Sequence, residues 1–423
     1  MHLLSDTNIH LENKRLSRLF FIFLWLLYAL VYMTKSCFAG ALSKIVAEGA
    51  LTLTQASWIN SSFYFVYAPL QVLGGIFADK YSPEKLITIG LLGSAAANLV
   101  IFFNQSFTVI LLCWIFNAII QFGLWPSVFK VMSSQLVRSD RSKMVFFMSF
   151  SGSGGLIFVY IVSAFTPKWQ YNFVISAVIL TVLAIILVIF CRFLDPMLKK
   201  DKLPSAPVAN ESTEKSSVNM WHIFLISGFF MLLLVTFFRT MVGESVKTLS
   251  STMLSQSYEH ISPTLGNLLS VLIILAGIFG TLIIKFIIFP RLIKNELVCY
   301  LIMLILALPF VFILRFVGDL SVGLIVFSLC MISLFLTAVS LLTNFFNMHY
   351  TKFGLNGTAA GIINAASSFG FALQYCLFGS IADSYGWPTV TTLWIILSVI
   401  TIICIALAIR PSIRFIKNDQ IKK

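Results

Sequence analysis

A dozen apolar runs divide the sequence, and each is close to the roughly 20 residues that a helix needs to cross a bilayer. With 59% hydrophobic and only 11% charged residues, the chain has too little polar surface for a soluble globule of this size. We therefore predict an all-α membrane protein with twelve transmembrane helices. The expected spans are residues 19–47, 55–78, 85–103, 107–133, 144–165, 170–193, 221–248, 264–288, 296–315, 320–348, 357–380 and 387–409.

The basic residues that give the chain its net charge of +13 are distributed according to the membrane topology. Most Lys and Arg residues fall in the loops that share the side of the N-terminus, which the positive-inside rule places in the cytoplasm. We expect both termini to be cytoplasmic and the protein to lie in the cell membrane. The basic residues form no patch with interleaved aromatics, so nucleic acid is not an expected partner. The basic residues assigned to the outer side are Lys44, Lys168, Lys247 and Arg315.

The sequence shows no pattern typical of an enzyme or a metalloprotein. The seven cysteines lie in or beside apolar spans, which favours packing roles. The five histidines are dispersed, and none has zinc-type spacing to another His or Cys. No nucleophile and base pair is apparent. We predict no cofactor, no metal and no catalytic activity.

A polar segment, residues 194–220, separates the sixth and seventh spans and is rich in Pro, Ser and charge. It is interpreted as a cytoplasmic linker between residues 1–193 and residues 221–423. Each half carries six spans, which predicts two six-helix bundles related by a pseudo-two-fold axis. A weak repeat supports this division: GGIFADKYSPEKL follows span two and GTLIIKFIIFPRLIKNEL follows span eight, with Ile284 in place of Asp79.

Two cations fall inside predicted spans, Lys35 in span one and Arg239 in span seven. Each costs roughly 2.5 to 3.5 kcal/mol at the centre of a membrane helix. Spans one and seven are equivalent in the two halves, so both cations are expected near the midplane of a central cavity. At about 8 Å they would repel by about 2 kcal/mol at an effective dielectric of about 20. A bound anion reverses this interaction, so the pair predicts an anion site.

Several polar residues share helical faces with these positions. Tyr28 and Tyr32 lie seven and three residues before Lys35, so all three project on one face and the hydroxyls can donate to the same anion. Gln71 lies four residues after Tyr67, also on one face. Interfacial anchoring or packing is the alternative for the tyrosines.

Glu244 is the main acidic residue in or near a span. It lies five residues after Arg239, about 140° around a helix, so the two do not share a face. Three roles stay open at this point: an ion pair with Lys35, a proton carrier, or a solvated charge near Lys247 at the outer end of the helix.

The layout and the loop after span two resemble the major facilitator superfamily. QFGLWPSVFKVMSSQLVRSDRSK, NGTAAGIINAASSFGF and IADSYGW are similar to segments of its organophosphate:phosphate antiporter family. That resemblance implies phosphate binding by Lys35 and Arg239 and a tyrosine-lined pocket. Lys35 stands where the family has arginine. The other pocket positions that it implies are Tyr28, Tyr32, Tyr67, Trp125, Gln71 in place of a lysine, and Ser151 in place of a histidine.

Charged residues in the cytoplasmic loops look like a latch between the two halves in an outward-open state. The set comprises Asp79, Lys80, Arg138 and Arg141. Orientation of the helices is the alternative explanation for the basic members, but an acid such as Asp79 does not contribute to it.

These features predict a monomeric secondary transporter that exchanges a phosphate ester for inorganic phosphate by rocker-switch alternating access in the lipid bilayer. Its expected partner is a small anion. A proton-coupled organic anion symporter that uses Glu244 is one alternative. A membrane sensor of a sugar phosphate, which binds without transport, is another.

Overall fold

The computed structural model describes residues 9–10, 13–137, 140–194, 199–200, 220–353 and 355–421. The described chain is helical, as expected, apart from a two-residue antiparallel pairing of Ile9–His10 with Lys199–Lys200. Eleven helical segments of the described residues are long and apolar enough to cross a membrane. Leu53–Lys80, a helix of 28 residues, occupies the place of the remaining predicted span.

The chain divides into two compact units, one of Met1–Leu51 and Trp58–Val208 and the other of Thr52–Ser57 and Ala209–Lys423. The predicted linker, residues 194–220, lies largely outside the described residues. The helices up to the linker are α1 (Lys14–Lys35), α2 (Cys37–Ala47), α3 (Leu53–Lys80), α4 (Pro83–Phe103), α5 (Phe107–Gln121), α6 (Leu124–Gln135), α7 (Arg141–Met148), α8 (Ser151–Phe165) and α9 (Tyr171–Leu194). The helices after it are α10 (Met220–Ser227), α11 (Phe229–Thr248), α12 (Ser250–Ser257), α13 (Pro263–Ile283), α14 (Glu296–Ile313), α15 (Val322–Asn347), α16 (Asn356–Tyr385) and α17 (Trp387–Ile421).

Four spans that were predicted as continuous helices are interrupted: spans four and five at residues 122–123 and 149–150, and spans one and seven, which carry Lys35 and Arg239. In span one, Ser36 separates α1 from α2, and its backbone N–H contacts the Tyr32 and Met33 carbonyls. In span seven, Gly228 adopts a left-handed conformation with φ +78° between α10 and α11. Glycine accepts this conformation without the penalty of a Cβ atom. The breaks leave Lys35 as the last residue of α1 and Arg239 in the middle of α11.

Helix α8 packs against both α1 and α2. Gly155 of α8 lies so close to α1 that a Cβ atom there would overlap the Ala29 carbonyl oxygen. Further along, the Ser163 hydroxyl donates to the Gly40 carbonyl of α2 at 2.7 Å. The two halves of the interrupted span therefore contact one continuous neighbour.

Lys44 of α2, which was assigned to the outer side, is buried at 7% exposure. Its ammonium donates to the Thr166 carbonyl at 2.5 Å and to the Ala164 carbonyl at 3.4 Å. These carbonyls end α8, where a cation is favoured by the helix dipole. Lys44 is thus a cap for a neighbouring helix rather than a loop residue.

The two segments of the predicted repeat make similar contacts in their own units. A Cβ atom on Gly74 of α3 would overlap the Phe122 carbonyl, and one on Gly280 of α13 would overlap the Leu334 carbonyl. Glycine at these positions lets backbone meet backbone between spans. After Gly280 the second copy continues into a π-helical turn, Ile284–Ile288.

Candidate functional site

The two predicted cations lie in different units, so each centre is described separately. The Lys35 ammonium is surrounded by aromatic rings of α1 and α3. Its Nζ lies 3.9 Å from the ring centroid of Tyr67, 5.1 Å from Phe63, 5.2 Å from Tyr64 and 5.6 Å from Tyr32. These distances are within the range of cation–π attraction. Among the described residues, Lys35 has no ion pair.

This aromatic cage, formed by Tyr32, Phe63, Tyr64 and Tyr67, partly offsets the cost of placing the charge in a membrane span. Ring faces attract a cation but are weak hydrogen-bond acceptors, so they leave the N–H donors of Lys35 available. Phe63 and Tyr64 were not predicted as site residues. The signal was the spacing of positions 63, 64 and 67, which line one side of α3.

The remaining predicted positions of the first unit lie beside the cage or behind it. The ring of Tyr28 lies 6.5 Å from that of Tyr32 and 4.6 Å from that of Trp125. Gln71 follows Tyr67 by one helical turn in α3 and is half-buried. Ser151 is buried, and its hydroxyl donates to the Met148 carbonyl at 2.6 Å. The Ser151 hydroxyl proton therefore already takes part in a hydrogen bond at the start of α8.

Arg239 of α11 is buried at 7% exposure and bonds only to neutral groups among the described residues. Nη1 donates to the Leu336 carbonyl at 3.2 Å, and Nη2 donates to the Thr240 hydroxyl at 2.9 Å. The Thr240 hydroxyl also lies 2.9 Å from that of Ser367 on α16. The Nε atom is buried without a hydrogen-bond partner in the described structure. The guanidinium is thus oriented by its neighbours but not neutralised by them.

Glu244 is paired with Lys247, three residues later in α11. The Oε1 to Nζ distance is 2.6 Å, and the two side chains are 10% and 9% exposed. Of the three roles left open for Glu244, the solvated charge at the outer helix end is therefore wrong, because both side chains are buried. Lys247, assigned to the outer side, is buried as well. Glu244 and Arg239 form no ion pair, as the helical angle predicted.

Three buried basic residues of the spans, Lys44, Arg239 and Lys247, and the half-buried Lys35 differ in how their charge is compensated. Lys247 is neutralised by a carboxylate, and Lys44 is solvated by two carbonyls. Lys35 and Arg239 have no carboxylate within ion-pair distance in the described residues. Since a charge without a counter-ion is costly inside a membrane span, these two positions are the ones where an external anion would contribute most.

Of the predicted latch, only Lys80 is fully described; it is exposed at the end of α3. The side chains of Asp79 and Arg141 and the whole of Arg138 lie outside the described residues. In the same loop, Asp140 lies 3.6 Å from Arg18 at the start of α1. The latch stays a prediction.

An all-helical chain with this many spans, two compact units and two cations without a carboxylate partner inside spans has the construction of a multi-pass membrane transport protein. The family model of the Major Facilitator Superfamily matches residues 24–375. The chain belongs to this superfamily.

Similarity to individual proteins is lower. The chain is 29% identical over 120 residues to the membrane sensor protein UhpC of Salmonella typhimurium, covering 28% of this chain and 27% of that protein. It is 28% identical over 116 residues to a probable hexose phosphate transport protein of Chlamydia pneumoniae, covering 27% of this chain and 25% of that protein. The chain therefore aligns with about a quarter of the length of these relatives.

Among solved structures, the fold resembles a bacterial homologue of the human lysosomal transporter Spinster in an inward-facing, unoccupied conformation. The TM-score is 0.68 at 14% identity, and the alignment covers 95% of this chain and 97% of that one. At this identity the likeness concerns the fold alone.

Proposed function

We propose that this protein is a secondary transporter of small anions that exchanges inorganic phosphate for a phosphate ester. The observation that carries the proposal is the state of Lys35: an ammonium in a membrane span, held by four aromatic rings and without an acidic partner in the described residues. A dianionic ligand would supply the missing negative charge and accept the free N–H donors.

Arg239 supports the same chemistry from the second unit. Its fork is held by Leu336 and Thr240, which reduces the entropy lost when a ligand is gripped. A guanidinium suits two-pronged binding of phosphate, whereas an ammonium acts as a point charge. The proposal assigns both cations to one anion near the membrane midplane, with Tyr28, Tyr32, Tyr67 and Gln71 as further pocket residues.

Exchange follows from electrostatics. Without an anion the two cations repel each other and resist the approach that alternation requires, and a bound anion removes this barrier. Reorientation is therefore expected with phosphate or with an ester bound, but not with an empty site. The proposed unit of movement is the bundle, residues 1–193 against residues 221–423, in a monomer with both termini cytoplasmic.

The superfamily supports transport over sensing, because its model matches residues 24–375. A relative described as a probable hexose phosphate transport protein supports a phosphate ester as the substrate, over 27% of this chain. The match to the sensor UhpC covers a similar share, 28%, so neither relative alone decides between the two roles.

The test is countertransport in proteoliposomes loaded with [32P]phosphate. Label is expected to leave only when external phosphate or a phosphate ester is supplied. Lys35→Gln and Arg239→Gln should each abolish this exchange, while Lys168→Gln, at an exposed position, should retain it. Equal leak without external anion, or full exchange by the doubly neutralised variant, would refute the proposal.

A further inference from the structure

An apolar groove lies between α4 and α9 of the first unit. Its volume is about 370 Å³. Small side chains on both helices, among them Ala96 and Ala177, open it, and larger exposed side chains such as Leu92 and Val178 form its edges. The lining residues are Leu92, Ala95, Ala96, Leu99, Ala177, Val178, Thr181 and Val182.

Helices α4 and α9 run antiparallel, and two contacts at one end show which of their residues lie opposite each other. Phe102 near the end of α4 lies 6.1 Å from Tyr171 at the start of α9, measured between ring centroids. Just beyond, the Gln170 amide donates to the Gln105 side chain at 3.3 Å. Positions on the two helices whose numbers sum to about 275 are therefore level with each other.

This register places two basic residues side by side. Lys85 is seven residues before Leu92, and Arg192 is fourteen residues after Val178. Seven residues are nearly two helical turns, so each basic residue continues the groove-lining face of its own helix. Both side chains are exposed. Glu84 projects about 100° away from Lys85 around α4 and is half-buried.

The surface between the basic pair and the groove is apolar and exposed. Ile89 of α4 is 56% exposed, and Ile185 and Ile189 of α9 are 54% and 62% exposed. At 1.5 Å per residue, Leu92 lies about 10.5 Å and Ala96 about 16.5 Å from the level of Lys85. The hydrocarbon half of a bilayer is about 15 Å thick. When the phosphate of a lipid contacts Lys85 and Arg192, an acyl chain of that lipid therefore ends within the groove.

We propose that the α4–α9 groove is a specific site for one anionic phospholipid, with the phosphate against Lys85 and Arg192 and one acyl chain between Leu92 and Val182. The two cations match the anionic headgroup of such a lipid. The apolar groove lies at the distance that its acyl chain reaches. In the proposed orientation, the site faces the cytoplasmic leaflet, where basic residues attract anionic headgroups. The inference does not depend on the transported anion.

The test is native mass spectrometry of the purified protein with equimolar phosphatidylglycerol and phosphatidylcholine. One phosphatidylglycerol should be retained per chain in preference to phosphatidylcholine. Lys85→Gln together with Arg192→Gln should reduce that preference about 25-fold, because each basic residue contributes about fivefold. The matched control, Lys168→Gln with Arg315→Gln, removes the same charge at exposed positions elsewhere and should leave the preference unchanged.

Ala96→Phe tests the acyl-chain half of the site, because Ala96 is exposed and a larger side chain fills the groove without disturbing the core. Lipid occupancy should fall in this variant. Equal preference in the double neutralisation and the parent, an equal loss in the control, unchanged occupancy in Ala96→Phe, or a second copy of the chain seated on this face instead of lipid would each overturn the proposal.

Discussion

The ion pair of Glu244 and Lys247 allows a sharp test of the energetics of the second unit. Glu244→Gln keeps the shape of the side chain but leaves the Lys247 ammonium buried without its carboxylate, 2.6 Å away in the parent. Removing one partner of a buried pair costs about 3 to 5 kcal/mol. For a unit of this size, about 2 to 4 °C of melting temperature is lost per kcal/mol, so the expected decrease is about 6 to 20 °C.

The assay uses the free cysteines of the protein. Cys37, Cys191, Cys299, Cys376 and Cys404 are buried, and Cys113 and Cys330 are half-buried, so a thiol-reactive fluorophore reports unfolding. Glu259→Gln, at an exposed position near the end of α12, is the matched control and should not change the melting temperature.

A double variant separates charge imbalance from loss of packing. In Glu244→Gln with Lys247→Met both charges are gone, and replacing a buried pair by neutral side chains of similar volume is often neutral or stabilising. The double variant should therefore recover most of the lost melting temperature. A single variant as stable as the parent, or a double variant no better than the single one, would refute the reasoning.

Two further predictions use the same assay. Gly280→Ala should lower the free energy of unfolding by about 1 to 3 kcal/mol, because its Cβ atom overlaps the Leu334 backbone. The control, Gly323→Ala, lies in open space on α15 and should leave that free energy unchanged; equal effects would contradict the close approach. Tyr67→Leu should lower the free energy of unfolding by about 0.5 to 2 kcal/mol, because it removes the ring closest to Lys35. Tyr67→Phe keeps the ring and should keep the stability of the parent; a loss in both variants would assign the effect to the hydroxyl.

The sequence predicted the helical class and the number and order of spans well, because each span needs an apolar run of a fixed length. It did not predict the interruptions at Ser36 and Gly228. A break of one residue leaves hydropathy unchanged, although the glycine was a usable signal. Span two, predicted as residues 55–78, is the helix α3 (Leu53–Lys80), and its aromatic residues form most of the cage around Lys35.

Local spacing also predicted the neighbours within one helix. Helical periodicity placed Tyr28, Tyr32 and Lys35 on one face, and the structure places their rings and charge together. Phe63 and Tyr64 come from another helix, and sequence spacing does not specify which side of α3 turns toward α1. The spacing of Glu244 and Lys247 was visible, but the burial that makes their pairing important depends on tertiary packing.

The contact of α8 with both α1 and α2 has a consequence for Lys35, which lies where its own helix is interrupted. Backbone at a helix break usually has few packing contacts. Here Gly155 packs closely against α1 before the break, and the Ser163 hydroxyl donates to the Gly40 carbonyl after it. The backbone on both sides of Lys35 is thereby held by one neighbouring helix, so at the proposed anion site little backbone entropy would be lost on binding. Affinity at Lys35 should consequently depend on residues of α8 that never touch the ligand.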